Sequence, residues 1–181
     1  MRTQLFTGAL AVAATTALVG LGADTASART ADSMQDGTSR ERGTLIECVG
    51  KAGSVPVRAN IYQNKTYGNH LELLVHDGVK GKEAAAGLEK RKPFVTGTKV
   101  RAAGKVGGHR MVITGTAAPT GEVKKIREVI PNDGGTRIVS RGTHALLAPL
   151  LTVSYNGKTG ELTCDNAFRF DLKVTKTSLV D

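Results

Sequence analysis

Hydrophobic and polar residues alternate in several short stretches of this chain. The clearest stretch is 168–175, in which every second residue is apolar: Phe168, Phe170, Leu172 and Val174. Successive side chains of a β-strand point to opposite faces, so this pattern places one face in a core and the other in water. The stretch 55–61 has the same alternation. We therefore predict that strands are the main elements.

Turn-forming residues separate the predicted strands. The strands are expected at 44–49, 55–62, 71–76, 99–106, 110–117, 137–140, 150–155, 161–164 and 168–175. The pairs Gly107-Gly108 and Asn156-Gly157 stand between such stretches, and both accept the positive φ that a tight hairpin turn needs. Tight hairpins join antiparallel neighbours. We expect a mainly β fold: a single antiparallel β-barrel or β-sandwich of about eight or nine strands.

Two further stretches are candidates for short inserted helices. The run KEAAAGLEKR at 82–91 consists of residues with high helix propensity. In the second, Val123, Ile126, Val129 and Ile130 recur at helical spacing until the sequence PNDGG at 131–135 ends the run. So short an apolar run also fits an edge strand. The fold is therefore expected to carry one or two short helices.

The first residues have the pattern of a secretory signal peptide. An apolar run at 5–21 follows Arg2 and leads to the small residues Ala26-Ser27-Ala28. No later stretch has the ~20 apolar residues of a membrane-spanning helix. We expect a signal peptide at 1–28, a polar, disordered arm at 29–43 and one β domain at 44–181. The mature protein is expected to be secreted to the extracellular space.

The chain has two cysteines, Cys48 and Cys164, and both lie after the predicted signal peptide. Exported proteins meet an oxidising environment, so we predict a disulfide between them that joins the first and last strands. Neither cysteine has a second Cys or His at a zinc-type spacing.

Positive charge is concentrated in one part of the chain. The formal net charge is +9, and residues 79–110 hold nine basic and two acidic side chains. Such a segment favours anionic partners. The candidate anion-binding residues are Lys90, Arg91, Lys92, Lys99, Arg101, Lys105 and Arg110. Trp is absent and only 4% of residues are aromatic, which argues against single-stranded nucleic acid as the ligand.

Few residues form a pattern that suggests catalysis or metal binding. His70, Glu72 and His76 are candidate metal ligands because they would project from one face of a strand, but a metal site there would need His109 or His144 from another strand. Ser140 and His144 share a strand face but would lie about 13 Å apart, too far for a nucleophile and its base. The HExxH, P-loop, GxGxxG, EF-hand and G-x-S-x-G patterns are missing. We expect no metal and no cofactor.

These observations predict a secreted, non-enzymatic binding protein with a basic surface. Its partner would be an anionic polysaccharide or other envelope polymer, or another secreted protein that it binds as an inhibitor does. The alternative is a small secreted β-barrel enzyme or small-molecule-binding barrel, with a pocket of polar residues among apolar walls. That pocket would contain Tyr67, His70, Glu72, His109 and Tyr155.

Overall fold

The computed structural model describes residues 37–77, 82–133 and 135–179. The chain divides into two units, 1–33 and 34–181, and all described residues belong to the second. The predicted signal peptide at 1–28 and the first part of the predicted arm therefore lie outside the described residues.

In the described residues nine strands form one antiparallel sheet, with the order β4-β3-β2-β1-β9-β8-β7-β6-β5. The strands are β1 (Gly37–Ala52), β2 (Val55–Asn64), β3 (Gly68–Asp77), β4 (Lys82–Lys90), β5 (Val95–Thr96), β6 (Lys99–Val106), β7 (His109–Asp133), β8 (Thr136–Tyr155) and β9 (Lys158–Ser178). The predicted mainly β, antiparallel class is confirmed. Both predicted glycine turns form: 107–108 joins β6 to β7, and 156–157 joins β8 to β9.

The sheet curls into a half-barrel whose concave face holds the core. Ile46, Ile61, Leu71 and Met111, from four different strands, are completely buried there. The curl brings β6 beside β3 and β4, although β6 pairs with neither. A Cβ atom at Gly104 of β6 would lie 2.5 Å from Leu88 Cδ1 and 2.9 Å from Leu73 Cδ1, so any larger residue there would force these leucine side chains to move.

Neither predicted helix forms. The stretch 82–90 is β4, in which Ala84, Ala86 and Leu88 alternate toward the core while the residues between them face outward. The stretch 123–130 belongs to β7 and pairs with β8. In both cases cross-strand pairing and burial outweigh local helix propensity, which is a weak determinant by comparison.

The predicted disordered arm, 29–43, overlaps β1. Residues 37–43 are strand and pair with β9 from Gly37↔Lys176 to Gly43↔Phe170. Within this polar segment Arg40 and Arg42 both form ion pairs with Asp171 of β9.

Four strands continue past the half-barrel as an extension of the sheet that we call the wing. It consists of residues 37–43 of β1, 168–178 of β9, 136–146 of β8 and 123–133 of β7. One face of the wing continues the concave face of the half-barrel, because Arg40, Arg42 and Thr44 share the parity of buried Ile46 along β1. We call this the concave wing face.

The opposite wing face carries the alternating apolar residues that mark 168–175. Phe170 and Val174 are buried there, and the Phe170 ring stacks on Tyr62 at 5.8 Å between centroids. A register shift beside Cys48 places these side chains on the outer side of the sheet. The apolar face predicted for this stretch is real, but it packs outside the half-barrel rather than in its core.

Candidate anion-binding surfaces

Four of the seven predicted anion-binding residues share one surface. Lys99, Arg101, Lys105 and Arg110 are exposed on the outer face of the β6–β7 hairpin. They point outward because Val100, Ala102 and Val106, the alternate residues of β6, are buried in the core. Lys105 and Arg110 are direct cross-strand partners. We call this outer face the hairpin surface.

The chain segments that form the hairpin surface and its neighbouring strand contain no carboxylate, and the next acidic residue on this outer face is Glu161 of β9, the partner of Thr152. Residues 93–119 and 146–155, which include β5, β6 and the half-barrel parts of β7 and β8, contain no Asp or Glu. Thr114 and Thr152 are cross-strand partners on the same outer face, and their hydroxyl oxygens lie 3.3 Å apart. The hairpin surface thus combines positive charge with neutral hydrogen-bonding groups.

The other three predicted residues lie at or after the end of β4 and have different surroundings. Lys90 Nζ donates a hydrogen bond to the carbonyl oxygen of Ala103 at 3.1 Å and so links β4 to β6. Arg91 lines a depression at one end of the half-barrel, and Lys92 is exposed in the β4–β5 connection. Of the three, Lys90 joins the hairpin surface, because it lines a depression of about 530 Å³ together with Lys105 and Arg110.

The depression that Arg91 lines has a volume of about 660 Å³ and opens beside the concave wing face. Arg42 and Arg169 also line it. The Arg169 guanidinium donates to the carbonyl oxygen of Gly97 at 2.6 Å, and Gln63 is bonded to the backbone of Val95. Arg42 and Arg169 come from opposite ends of the chain, and the local charge pattern gave no signal of this grouping.

Asp171 is the acidic side chain that contacts Arg40 and Arg42. Arg40 donates to both of its carboxylate oxygens, at 2.7 and 2.8 Å, and Arg42 Nε lies 3.0 Å from one of them. The hydrogen bond from Arg40, together with the charges of Arg40 and Arg42, holds the pKa of the Asp171 carboxyl below its ordinary value. The carboxylate therefore stays ionised and offsets part of the positive charge on β1.

The residues of the alternative pocket point to different sides of the sheet. Tyr155 is only 7% exposed on the concave side, where its hydroxyl donates to the Val106 carbonyl oxygen at 3.3 Å and His109 lies edge-on to its ring. His70 and Glu72 are exposed on the outer face of β3, and Tyr67 is 58% exposed after the end of β2. These five side chains do not line one common cavity.

His70, Glu72 and His76 do share the outer face of β3, as the alternation predicts. His76 Nδ1 lies 3.6 Å from a carboxylate oxygen of Glu83, its partner on β4. Within the described ranges, no three side chains of His, Cys, Asp or Glu come together in a way that could hold a metal ion.

His144 lies on the outer face of the wing, where its ring stacks on Phe168 with 3.8 Å between centroids. Partial burial lowers the pKa of the imidazole, and the charge of Glu128 opposes that shift. Ser140 is on the same strand face with Gly142 between them. His144 thus packs against an aromatic ring.

The predicted disulfide between Cys48 and Cys164 is present, with an S–S distance of 2.07 Å. The two residues are direct partners on β1 and β9, the first and last strands of the described chain. None of the described residues forms a helix long and apolar enough to cross a membrane. Comparisons with protein-family models, curated proteins and solved structures found no match.

Proposed function

We propose that this chain is an exported, non-enzymatic binding protein that binds an anionic polymer on the hairpin surface. The observation that carries the proposal is the arrangement of Lys99, Arg101, Lys105 and Arg110 on one outer face, within chain segments that contain no carboxylate. Arginine binds sulfate, phosphate or carboxylate through paired N–H groups, and lysine adds positive potential.

The like charges on this surface favour binding of an anionic ligand and do not stabilise the fold. Lys105 and Arg110 stand directly opposite each other, and such a pair destabilises a sheet slightly unless a counter-charge is bound. Threonine hydroxyls beside the bases can donate to and accept from sugar hydroxyls. Aromatic side chains for stacking bases are absent from β5 and β6. This combination suits an acidic polymer without nucleobases.

The surroundings of the polar residues support binding rather than catalysis. The Tyr155 hydroxyl donates a hydrogen bond to a backbone carbonyl on the concave side of the sheet, whereas His70 and Glu72 lie on the outer face. A general acid and base must reach the same substrate atoms. Capture of a secreted protein by the same surface remains the competing partner class.

The first test measures binding of the protein to dextran sulfate at low and high ionic strength. Between about 0.01 M and about 1 M salt the Debye length falls from roughly 30 Å to roughly 3 Å, so binding driven by exposed charges should weaken steeply. The triple variant Arg101→Gln, Lys105→Gln, Arg110→Gln should bind about tenfold more weakly than the wild type at low salt.

A matched control removes the same charge elsewhere. Lys51, Arg58 and Lys124 are exposed and lie off the hairpin surface, and their triple Gln variant should lose no more than about twofold in affinity. Equal losses in both variants would show a response to net charge alone and would contradict the proposal. Salt-insensitive retention of a discrete protein partner would contradict polymer binding.

A further inference from the structure

The concave wing face carries a second concentration of positive charge, formed by residues from both ends of the chain. Cross-strand partners in a sheet point to the same face, so the register determines which bases share this face. The basic side chains there are Arg40 and Arg42 of β1, Arg169 and Lys173 of β9, Arg137 and Arg141 of β8, and Lys125 and Arg127 of β7. Asp171 is the acidic residue at these paired positions.

Four of these bases form a continuous row across the wing. Arg40 pairs with Lys173, Lys173 pairs with Arg141, and Arg141 pairs with Arg127. Neighbouring strands are about 4.8 Å apart, so the row presents a positive charge at each strand over about 14 Å. Every member of the row is exposed, and Asp171, which lies in the next row, is partly buried.

The row is electrostatically unfavourable for the isolated protein. Like charges directly opposite each other destabilise a sheet, and this row has three such pairs in succession. Arg40 is compensated by Asp171, but in the described chain no carboxylate lies within 4.0 Å of the charged nitrogens of Lys173, Arg141 or Arg127. Fold stability does not explain this arrangement, whereas an anionic ligand would.

The surroundings of the row indicate the class of ligand. Arg40, Arg141 and Lys173 line a depression of about 590 Å³ together with Thr38, Thr143 and Asp171, whose carboxylate is paired with Arg40. On the next row the hydroxyl oxygens of Thr38 and Thr175 lie 3.2 Å apart. No aromatic residue occupies the paired positions of the concave wing face. Basic side chains and hydroxyl groups can bind the oxyanions of a sugar chain. The face offers no aromatic ring on which nucleobases could stack.

From this juxtaposition we propose that the concave wing face is a binding site for a linear acidic polysaccharide, whose sulfate or carboxylate groups lie along the row Arg40–Lys173–Arg141–Arg127. The site deepens the proposed function and rests on it for the class of ligand. It is separate from the hairpin surface, since the two are formed by different residues on opposite faces of the sheet.

The test uses the variant Arg127→Gln, Arg141→Gln, Lys173→Gln, which leaves the Arg40–Asp171 ion pair in place. We expect it to bind dextran sulfate or polygalacturonate about tenfold more weakly than the wild type at low salt. The Lys51, Arg58, Lys124 control should lose no more than about twofold, and Lys124 lies on the other face of the same strand as Arg127. Dextran sulfate and polygalacturonate distinguish sulfate from carboxylate as the recognised group.

The outcomes separate this site from the hairpin surface. If only the hairpin variant loses affinity, the wing site is wrong and the proposed function stands. If neither variant loses more than the control, both are wrong. Equal or tighter binding of poly(dT) than of either polysaccharide would overturn the ligand class. Removal of the like charges should leave the unfolding temperature of the ligand-free wing variant equal to that of the wild type or higher, and such a result shows that any lost affinity does not come from misfolding.

Discussion

At the scale of single residues, the outer wing face shows how a partly buried histidine makes stability depend on pH. His144 stacks on Phe168, and partial burial lowers the pKa of its imidazole below the ordinary value of 6.5. The unfolded chain therefore binds a proton at a higher pH than the folded protein does. The contribution of His144 to stability is fully present above pH 6.5 and is lost as the pH falls through the folded-state pKa.

We predict that an NMR titration of the His144 ring gives a midpoint below 6.5, and that the free energy of unfolding falls as the pH decreases from 6.5. The variant His144→Phe should keep an aromatic ring on Phe168 and remove this part of the pH dependence. The variant His70→Phe, at an exposed site on β3, should retain it. A pH dependence identical in all three proteins would show that His144 is not its source.

Gly43 allows the Phe170 ring to lie across β1. A Cβ atom at Gly43 would overlap both the Phe170 ring and the carbonyl oxygen of Gln63. We predict that Gly43→Ala lowers the free energy of unfolding by about 1 to 3 kcal/mol, the usual cost of forcing atoms into a packed site. Urea denaturation measures this change. Gly87→Ala is the matched control, because its Cβ would meet only His70 at 3.5 Å, an ordinary contact.

At the scale of elements, the disulfide fixes β1 to β9 across a sequence separation of 116 residues. Closing so long a loop restricts the unfolded chain by an amount worth roughly 4 to 5 kcal/mol in the entropic description. We predict that Cys48→Ser, Cys164→Ser lowers the free energy of unfolding in urea by an amount of this order. Reduction of the wild type should have a similar effect and leave the double variant unchanged. Equal stability of the oxidised and reduced wild type would contradict this account.

Some elements could be predicted from local sequence and others could not. The two glycine-containing turns and the alternating strands carry signals within a few residues, and both predictions hold. The β4 sequence is rich in alanine, which fits a helix locally and fits a strand only when Ala84, Ala86 and Leu88 have a core to face. The signal that decides its structure is the pairing with β3, which lies outside the segment itself.

At the scale of the whole molecule, a charged surface could be predicted from the sequence only where its residues lie close together along the chain. The hairpin surface could be predicted because its four bases lie within residues 99–110. The row on the concave wing face could not, because Arg40, Arg127, Arg141 and Lys173 come from four strands spread over most of the chain. Their grouping appears only when the register of β1, β9, β8 and β7 is known.

The position of the disulfide also determines how the molecule responds to mechanical force. Gly37 and Lys176 are partners at the tip of the wing, so tension applied there would unzip β1 from β9 one cross-strand pair at a time. Unzipping would stop at Cys48 and Cys164, where a covalent bond joins the two strands. The strands enclosed between the two cysteines would carry no load. In the oxidised protein, the extensible parts are therefore residues 37–48 of β1 and 164–176 of β9, and the described strands between the two cysteines are mechanically protected.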